Sequence, residues 1–312
     1  MDISKIFNAS LIYATIRSAT PIIYAAICAS VTQHANITNI GTEGIMLIGA
    51  FSAVATSFFT GSWVIGVLVA MFSGFLLAML MGVGHIKYHA DITAIGTGIN
   101  MFALALTKFL LNALLGESGS FSDPAIVPIP RIQLPFLEKI PFLNSVINNW
   151  AITEWFAVIL IFVMAFFLYK TVWGLRLRSV GKFELAAKTA GIRVNAMKYQ
   201  AIAISGIIGG LAGAHLSLGY SKLFTENMTN GRGFMGVAAM FFGGANPLLT
   251  SLGALVFGFT DSVGARLQAY GVPSQFILMM PYIITVTVLA ISMATKIHKT
   301  NKQKSSLWVK SN

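Results

Sequence analysis

One stretch decides the class of fold: Trp155-Phe-Ala-Val-Ile-Leu-Ile-Phe-Val-Met-Ala-Phe-Phe-Leu-Tyr-Lys-Thr-Val-Trp173. Lys170 is its only charged residue, and it lies close to one end. A helix of about 20 predominantly apolar residues is long enough to cross the hydrocarbon core of a bilayer. The stretch therefore predicts a transmembrane helix.

Further apolar segments of similar length occur along the chain. Of the 312 residues, 56% are hydrophobic and only 10% are charged, whereas a soluble domain carries about 25% charged residues. We therefore predict an all-α polytopic membrane protein, a single transmembrane domain over residues 1–312 with roughly eight to ten helices, some of them broken or re-entrant. The other apolar segments are residues 9–31, 40–59, 63–84, 92–115, 199–218, 234–261 and 276–295.

The positive charge of the chain is concentrated in two places. The net charge is +11, and eleven of the 21 Lys and Arg residues lie at 176–198 and 296–310, next to apolar segments. The positive-inside rule then predicts a cytoplasmic loop at 174–198 and a basic cytoplasmic tail at 296–312. Residues 116–150 contain five of the nine prolines and are predicted to form an external loop. This distribution argues against nucleic acid as a partner.

Residues 234–261 have to enter and leave on the same side if the tail is cytoplasmic. Their centre, Gly243-Gly-Ala-Asn-Pro247, is a turn sequence in apolar surroundings. We predict a broken or re-entrant helix pair, which is tolerated where protein or a polar cavity satisfies the backbone. A simple kinked span is the alternative. In the segment 199–218, glycines spaced four apart predict a helix–helix interface.

The basic loop contains a short predicted helix between Gly181 and Gly191. A short isolated helix is marginal in water, so it needs a surface to pack against. A groove of a soluble motor protein would provide one; the alternative is an ordinary loop on lipid headgroups. At helical spacing, Glu184 and Lys188 form an i,i+4 pair. The residues of interest for coupling are Arg178, Gly181, Phe183, Glu184, Ala187 and Gly191, with Phe183, Ala186, Ala187 and Ala190 on one side.

Polar residues in and beside apolar segments are candidates for a substrate path, since ionisable groups inside a membrane face a partner or a cavity. Glu43 stands out, and its alternative role is a structural carboxylate bound to backbone amides or to a neighbouring helix. Asp261 and Arg266 are interpreted as a structural pair or as solvated charges near a membrane surface. The candidate path residues are Asn36, Asn39, Thr42, Glu43, Thr97 and Asn100, the last two with helix–helix hydrogen bonding as the alternative.

The sequence lacks the motifs of catalysis. It has no G-x-x-x-x-G-K-[ST] phosphate loop, and Gly231-Arg-Gly-Phe-Met-Gly236 matches G-x-G-x-x-G without the βαβ context that dinucleotide binding needs. His85 and His89 are interpreted as part of a solvated loop, and Cys28 cannot pair within the chain. We therefore predict no catalytic residue, no metal site and no cofactor in this chain.

Several stretches together resemble a known family. The segment from Gly174 to Asn195 looks like the coupling loop of ABC importer permeases of the branched-chain amino acid, ribose and nucleoside group. Asn39-Ile-Gly-Thr-Glu-Gly-Ile-Met-Leu-Ile-Gly-Ala50 resembles that family's early motif. Gly231 to Pro247 and the late Pro281-Tyr-Ile-Ile-Thr resemble the nucleoside branch; Gly243-Gly-Ala departs from its more polar pattern.

The resemblance implies a division of labour between subunits. It predicts a permease that forms the translocation path for nucleosides, with ATP bound and hydrolysed by separate cytoplasmic ATPase subunits. Further partners are a second permease subunit, an external substrate-binding lipoprotein and membrane lipid, all at the cell membrane of a prokaryote. The alternatives are an importer of a simple sugar such as ribose and, from another class, an ATP-independent channel or secondary transporter.

Overall fold

The computed structural model describes residues 9–135 and 141–269, together with the single residues 279, 283 and 287. The described residues up to 262 belong to one compact unit, and every contact discussed below lies within it. Apart from the three single positions, the predicted span at 276–295 and the predicted tail at 296–312 lie outside the described residues.

Most of the described chain is helical. Two helices continue into a turn of π-helix, at Val83–Lys87 and at His215–Ser221. The α-helices are α1 (Ala9–Gln33), α2 (Thr42–Thr60), α3 (Trp63–Gly82), α4 (Ile92–Leu115), α5 (Pro141–Ile147), α6 (Ile152–Lys170), α7 (Val172–Lys182), α8 (Glu184–Thr189), α9 (Val194–Ala214), α10 (Arg232–Phe242) and α11 (Pro247–Ala269). The strands are β1 (Ser120–Phe121), β2 (Arg131–Ile132), β3 (Trp150–Ala151) and β4 (Phe224–Thr225).

Seven helices within the described ranges are long and apolar enough to cross a membrane. They are α1, α2, α3, α4, α6, α9 and α11. The spans of α1 and α11 are one residue shorter than the helices, and those of α3 and α9 include the π-helical extensions. Six of them coincide with a predicted apolar segment, and α11 covers the second half of 234–261 and continues to Ala269. The prediction of an all-α polytopic membrane protein is confirmed. Pro21 lies inside α1 without ending it.

The helices divide into a buried central group and an outer group. Most residues of α1, α2 and α9 are buried, whereas α3, α4 and α6 keep large apolar side chains exposed. Phe72 on α3, Phe109 on α4 and Phe166 on α6 are examples. Without a bilayer these faces would be unfavourable, because contiguous exposed apolar surface mostly marks a membrane or protein contact. The exposed faces therefore suit lipid or a further subunit.

Small residues let α9 approach the neighbouring helices α2 and α3 closely. A Cβ atom placed on Gly206 would lie 2.7 Å from the Gly74 carbonyl oxygen of α3, and one on Gly209 would lie 2.7 Å from the Ile45 side chain of α2. Such close approach is how helices associate in lipid, where dispersion rather than the hydrophobic effect drives packing. The predicted interface along 199–218 is confirmed, and its partners are α2 and α3.

The predicted break within 234–261 is also present. The helix α10 has 11 residues, which at 1.5 Å per residue make a rod of about 16 Å, too short to span a bilayer. It ends at Gly243, and Gly244 and Ala245 both have positive φ angles, of 57° and 60°. The chain then reverses into α11 at Pro247, so the broken pair is correct and the simple kinked span is wrong.

The antiparallel pair α3 and α9 defines the two ends of the bundle. Gly82 lies beside Ile202 at one end, and Gly66 lies beside Leu218 at the other. The basic segment 174–198 is therefore at the first end, where α9 begins. The predicted external segment is tied to the opposite end, where the Ile129 amide donates to the Leu218 carbonyl at 3.2 Å. Which end faces the cytoplasm stays a prediction from charge.

Candidate functional site

Glu43 joins two distant parts of the sequence near the start of α2. Its carboxylate accepts hydrogen bonds from the Gly231 amide at 2.8 Å and from the Gly233 amide at 2.7 Å. The residue is only 8% exposed. Gly231 directly precedes α10 and Gly233 lies in its first turn, where unpaired N–H groups and the helix dipole favour a negative charge. Of the two roles that the sequence left open, the structural carboxylate is the one that these bonds support.

The glycines around this carboxylate have a steric reason. A Cβ atom on Gly233 would lie 2.6 Å from the Glu43 Cα atom, closer than side chains approach. Gly231, which precedes α10, has φ of 82°, a conformation that non-glycine residues rarely adopt. The glycines of the motif at Gly231, which matches a dinucleotide fingerprint in sequence, therefore make room for the Glu43 carboxylate and donate backbone hydrogen bonds to it. Both motifs are visible in the sequence but their contact is not, because nothing local links positions 188 residues apart.

Asn100 holds the same region from the side of α4. Its amide oxygen accepts from the Gly44 amide at 2.8 Å, and its amide nitrogen donates to the Ile40 carbonyl at 3.0 Å. One side chain thus satisfies two backbone groups of the segment that leads into α2. Close packing makes this possible, since a Cβ on Gly44 would lie 2.9 Å from the Asn100 Cα atom. Asn100 therefore acts first as a helix-to-helix clamp.

We expect Asn100→Ala to lower the free energy of unfolding by about 1–3 kcal/mol, because it leaves two partly buried backbone groups without partners. Thermal unfolding of the purified protein in detergent measures this. Asn112→Ala is the matched control, since Asn112 is an exposed residue of the same helix. Equal stability of the two variants would contradict the clamp.

Asn39 and Thr42 belong to a fully buried polar cluster. The Asn39 amide nitrogen donates to the Ser205 hydroxyl at 2.9 Å, and the Thr42 hydroxyl donates to the Asn39 carbonyl at 2.7 Å. The Cys28 sulfur lies 3.0 Å from the Ser205 oxygen. The Asn39 side-chain oxygen has no partner in the structure. Cys28 and Ser205 were not predicted for this cluster, and their isolated positions in apolar runs offered no signal.

The other two path candidates are exposed and lie elsewhere. Asn36 has φ of 59° in the turn that follows α1. Thr97 lies on the open side of α4 and bonds only within its own helix, to the Thr93 carbonyl at 2.8 Å. The six predicted path residues are thus not one constellation: Asn39, Thr42, Glu43 and Asn100 surround the start of α2, and Asn36 and Thr97 do not join them.

The helices of the predicted coupling segment have different bounds from those that the sequence predicts. The predicted helix between Gly181 and Gly191 is present but shorter than the expected two to three turns: α8 has six residues, and Gly181 lies inside α7. Phe183 separates the helices in an extended conformation, with φ of −155°. Gly191 follows α8 with φ of 78°, so a glycine there suits the turn.

The single apolar side predicted for this segment is wrong. Ala187 is buried, whereas Phe183 is 64% exposed and its neighbour Leu185, which the sequence analysis missed, is 69% exposed. Six residues make under two turns, so the extended Phe183 and the packing of Ala187 decide the faces. Two large apolar side chains are consequently presented at the surface of the basic end.

Glu184 has a different ion-pair partner from the one predicted. Its carboxylate lies 2.7 Å from the Lys198 ammonium group on α9, not against Lys188. This bond ties α8 to the first turns of α9. Asp261, for which a structural pair or a solvated charge was predicted, is paired: it lies 3.1 Å from Arg232 at the start of α10. In both cases tertiary contact brings a partner that local spacing cannot predict.

The basic segment touches the turn that precedes α2. A Cβ on Gly181 would overlap the His34 carbonyl and lie 3.0 Å from the Asn36 amide. The His34 ring packs edge-on against Tyr169, with centroids 5.8 Å apart, and the Arg178 guanidinium lies 5.0 Å from the centre of the Tyr169 ring. Burial lowers the pKa of His34 more than a hydrogen bond with the Ala245 backbone raises it. A neutral His34 therefore joins α6, α7 and the break between α10 and α11.

Comparison with known proteins identifies the family to which the chain is similar. The family model described as branched-chain amino acid transport system / permease component matches residues 11–290. The chain is 35% identical over 301 residues to the guanosine ABC transporter permease protein NupQ of Bacillus subtilis, covering 93% of each chain. It is 34% identical over 285 residues to the nucleoside ABC transporter permease protein NupC of Lactococcus lactis, covering 88% of this chain and 89% of the relative.

A third relative has a different name. The chain is 30% identical over 267 residues to the putative glucose ABC transporter permease protein TsgC13 of Haloferax volcanii, covering 84% of this chain and 79% of the relative. The matches span nearly the whole bundle, including Glu43, the α7–α8 segment and the α10–α11 break. This chain belongs to the branched-chain amino acid transport system permease family, whose members are membrane-spanning subunits of ATP-binding cassette transporters.

Proposed function

We propose that the chain forms the translocation path of a nucleoside importer. The observation that carries this proposal is the identity of 35% along 93% of both chains with a guanosine permease. As a permease of this family it works with an ATPase and a substrate-binding protein. We further propose that a second permease subunit completes the path, that the substrate-binding protein is a lipoprotein, and that this chain holds no cofactor. A sugar importer is the second candidate, because one relative is named for glucose.

Uptake by cells tests the substrate. The complete transporter, expressed in cells that lack nucleoside uptake, is expected to accumulate radiolabelled guanosine in an ATP-dependent manner. Unlabelled nucleosides should compete, whereas glucose and ribose should not. Uptake of glucose or ribose without uptake of guanosine would replace the proposal by the sugar importer. Uptake that persists without the ATPase would contradict both.

We propose that the path runs along the exposed side of α4 that carries Thr97. The exposed sides of α3 and α6 present large apolar residues such as Phe72 and Phe162, which suit lipid. Around Thr97 the exposed side of α4 is smaller and more polar: a Cβ on Gly98 beside it would meet no neighbouring helix within 4 Å, and the exposed apolar residues Met101 and Phe102 begin one turn further on. A small, polar surface within a spanning helix suits a hydrated path.

Cysteine labelling distinguishes these surfaces. We expect Thr97→Cys to react with a charged methanethiosulfonate reagent, and substrate to slow the reaction. Phe72→Cys on α3 is the control and should stay unmodified, because thiolates do not form in lipid. The native Cys28 is fully buried, so it does not obscure the result. Equal labelling of both variants would contradict this assignment of the path.

We propose that α8 is the contact for the ATPase and that α7 conveys its movement. The exposed Phe183 and Leu185 give a soluble partner an apolar surface. The close contact of Gly181 with His34 and Asn36 carries a displacement of α7 to the turn before α2. Because Glu43 and Asn100 fix the start of α2, movement of that turn reaches the buried polar cluster. This route gives Arg178 and Gly181 a positioning role and leaves direct contact to Phe183.

Reversing the charges of one ion pair tests the coupling contact. We expect Glu184→Lys to reduce co-purification of the ATPase strongly, because two lysines then repel each other and displace α8 from α9. The double variant Glu184→Lys with Lys198→Glu restores opposite charges and should recover most of the complex. Recovery of the complex would show that ATPase binding depends on the position of α8 and not on the sign of the charge at residue 184. If the double variant binds no better than Glu184→Lys, the pair does not hold α8 in place.

A further inference from the structure

A cavity lies on the basic segment between the start of α7 and the start of α9. Its volume is about 420 Å³, within the range of small-molecule sites. The start of α7 and the segment that leads into α9 form its walls. The residues that matter for its chemistry are Trp173, Arg176, Ile192, Arg193, Met197 and Gln200.

Two arginines give the cavity a strongly cationic character. Arg176 and Arg193 both line it, and no aspartate or glutamate does. The ion pairs found in the described part of the chain engage other residues, namely Lys108, Lys198 and Arg232. Two guanidinium groups without acidic partners at one cavity suit a phosphate group, whose oxygens they bind in a bidentate manner.

The position of the cavity relates it to the membrane surface. The spanning helix α6 ends at Lys170, and α7 begins at Val172 after a sharp turn at Thr171. Trp173 stacks on Phe167 of α6 with ring centroids 4.7 Å apart, and its indole N–H donates to Gln200 at 2.8 Å. A tryptophan with one apolar and one polar side is typical of the interface between acyl chains and headgroups.

Two exposed apolar side chains on α7 are a second, independent observation that indicates contact with the membrane surface. On α7, Val172 is 64% exposed and Leu175 is 57% exposed, whereas Leu177 and Val180 are buried. Exposed apolar residues next to arginines on a helix at the end of a span suit a helix that lies in the membrane surface. An acyl chain would cover these residues while a headgroup occupies the cavity.

We propose that this cavity binds the phosphate of an anionic phospholipid. The lipid is favoured over an acidic surface of the ATPase, because the apolar residues that suit a soluble partner, Phe183 and Leu185, lie at the start of α8. A neighbouring cavity of about 540 Å³ on the α8 side is lined by Glu184 and Lys188 and shares Arg193 with the first one. Bound lipid would brace the start of α7 against the start of α9 and so set the position of the coupling segment. The proposal rests on the membrane location of the chain and not on its substrate.

Native mass spectrometry of the purified transporter complex tests the site. Titration with phosphatidylglycerol is expected to give one tightly retained lipid, and phosphatidylcholine with the same acyl chains should not replace it. The double variant Arg176→Gln with Arg193→Gln should bind phosphatidylglycerol about thirtyfold more weakly, as expected for two basic residues at an anionic surface. The variant Arg176→Lys with Arg193→Lys, which keeps the charge and loses the planar fork, should lie in between.

The control removes the same charge from the same segment. Lys182 and Lys188 do not line the cavity, so the double variant Lys182→Gln with Lys188→Gln should retain the lipid. Equal loss in this control would reduce the effect to general surface charge and overturn the site. Competition by millimolar inorganic phosphate would assign the cavity to a soluble anion. Lipid retention by the chain alone but not by the complex would mean that the ATPase, and not a lipid, covers the arginines in the assembled transporter. Either of these last two results would overturn the lipid as the ligand of the cavity in the transporter.

Discussion

Replacement of Glu43 by glutamine is expected to abolish transport and to lower the melting temperature of the purified protein by about 5 °C. The carboxylate accepts hydrogen bonds from the backbone N–H groups of Gly231 and Gly233 at the start of α10. Glutamine keeps one acceptor and turns an NH₂ group toward the second amide. The loss of one charge-assisted bond costs about 1.5–3 kcal/mol, and the loss of a negative charge at the helix N-terminus adds to it.

The result separates two roles of Glu43. Thermal unfolding in detergent and nucleoside uptake in cells are measured on the same variant. Glu117→Gln is the matched control, because Glu117 is an exposed carboxylate beyond α4; it should change neither quantity. Lost transport with an unchanged melting temperature would mean that Glu43 contacts the substrate. Unchanged values of both would mean that the bonds to α10 are unimportant.

The second large effect is expected from Gly213→Ala. The new methyl group would overlap the Met46 carbonyl and lie 2.5 Å from the Ala50 amide nitrogen, both on α2. Backbone atoms cannot turn away as a flexible side chain can, so α9 has to move from the centre of the bundle. We expect a loss of at least about 3 kcal/mol, at the upper end of overpacking, seen as low yield and early thermal unfolding.

The control for this variant is Gly98→Ala. No atom lies within 4 Å of a Cβ at Gly98, and alanine is favoured over glycine within a helix by up to about 1 kcal/mol. Gly98→Ala should therefore be as stable as the unmodified protein or more so. Similar loss in both variants would point to a general effect of substitution and not to the contact between α9 and α2.

Glycine spacing and an isolated carboxylate are visible in the sequence, but their partners are not. The spacing of Gly206 and Gly210 predicted a helix interface, because four residues bring both to one side of any helix. The partner helices could not be predicted, since only the folded bundle decides that Gly206 meets α3 and Gly209 meets α2. For Glu43 the sequence predicted a functional or structural carboxylate, and only contact with Gly231 and Gly233 favours the second.

The errors in the coupling segment have the same origin. Local spacing predicted that Glu184 pairs with Lys188 and that Gly181 marks the start of the short helix. In the structure Lys198 approaches Glu184, and Gly181 continues α7 because its backbone packs against His34. Weak, short helices follow their tertiary contacts, since a helix of one or two turns has little stability of its own.

The sequence by itself determined that this is a helical membrane protein, because long apolar segments have no other stable environment than lipid. It also determined where the chain breaks, at Gly243 to Pro247, since turn residues act locally. The tertiary structure alone decided that the early motif at Glu43 and the late motif at Gly231 form one junction. A hydrogen bond between residues 188 positions apart depends on how whole helices pack, and no local pattern records that.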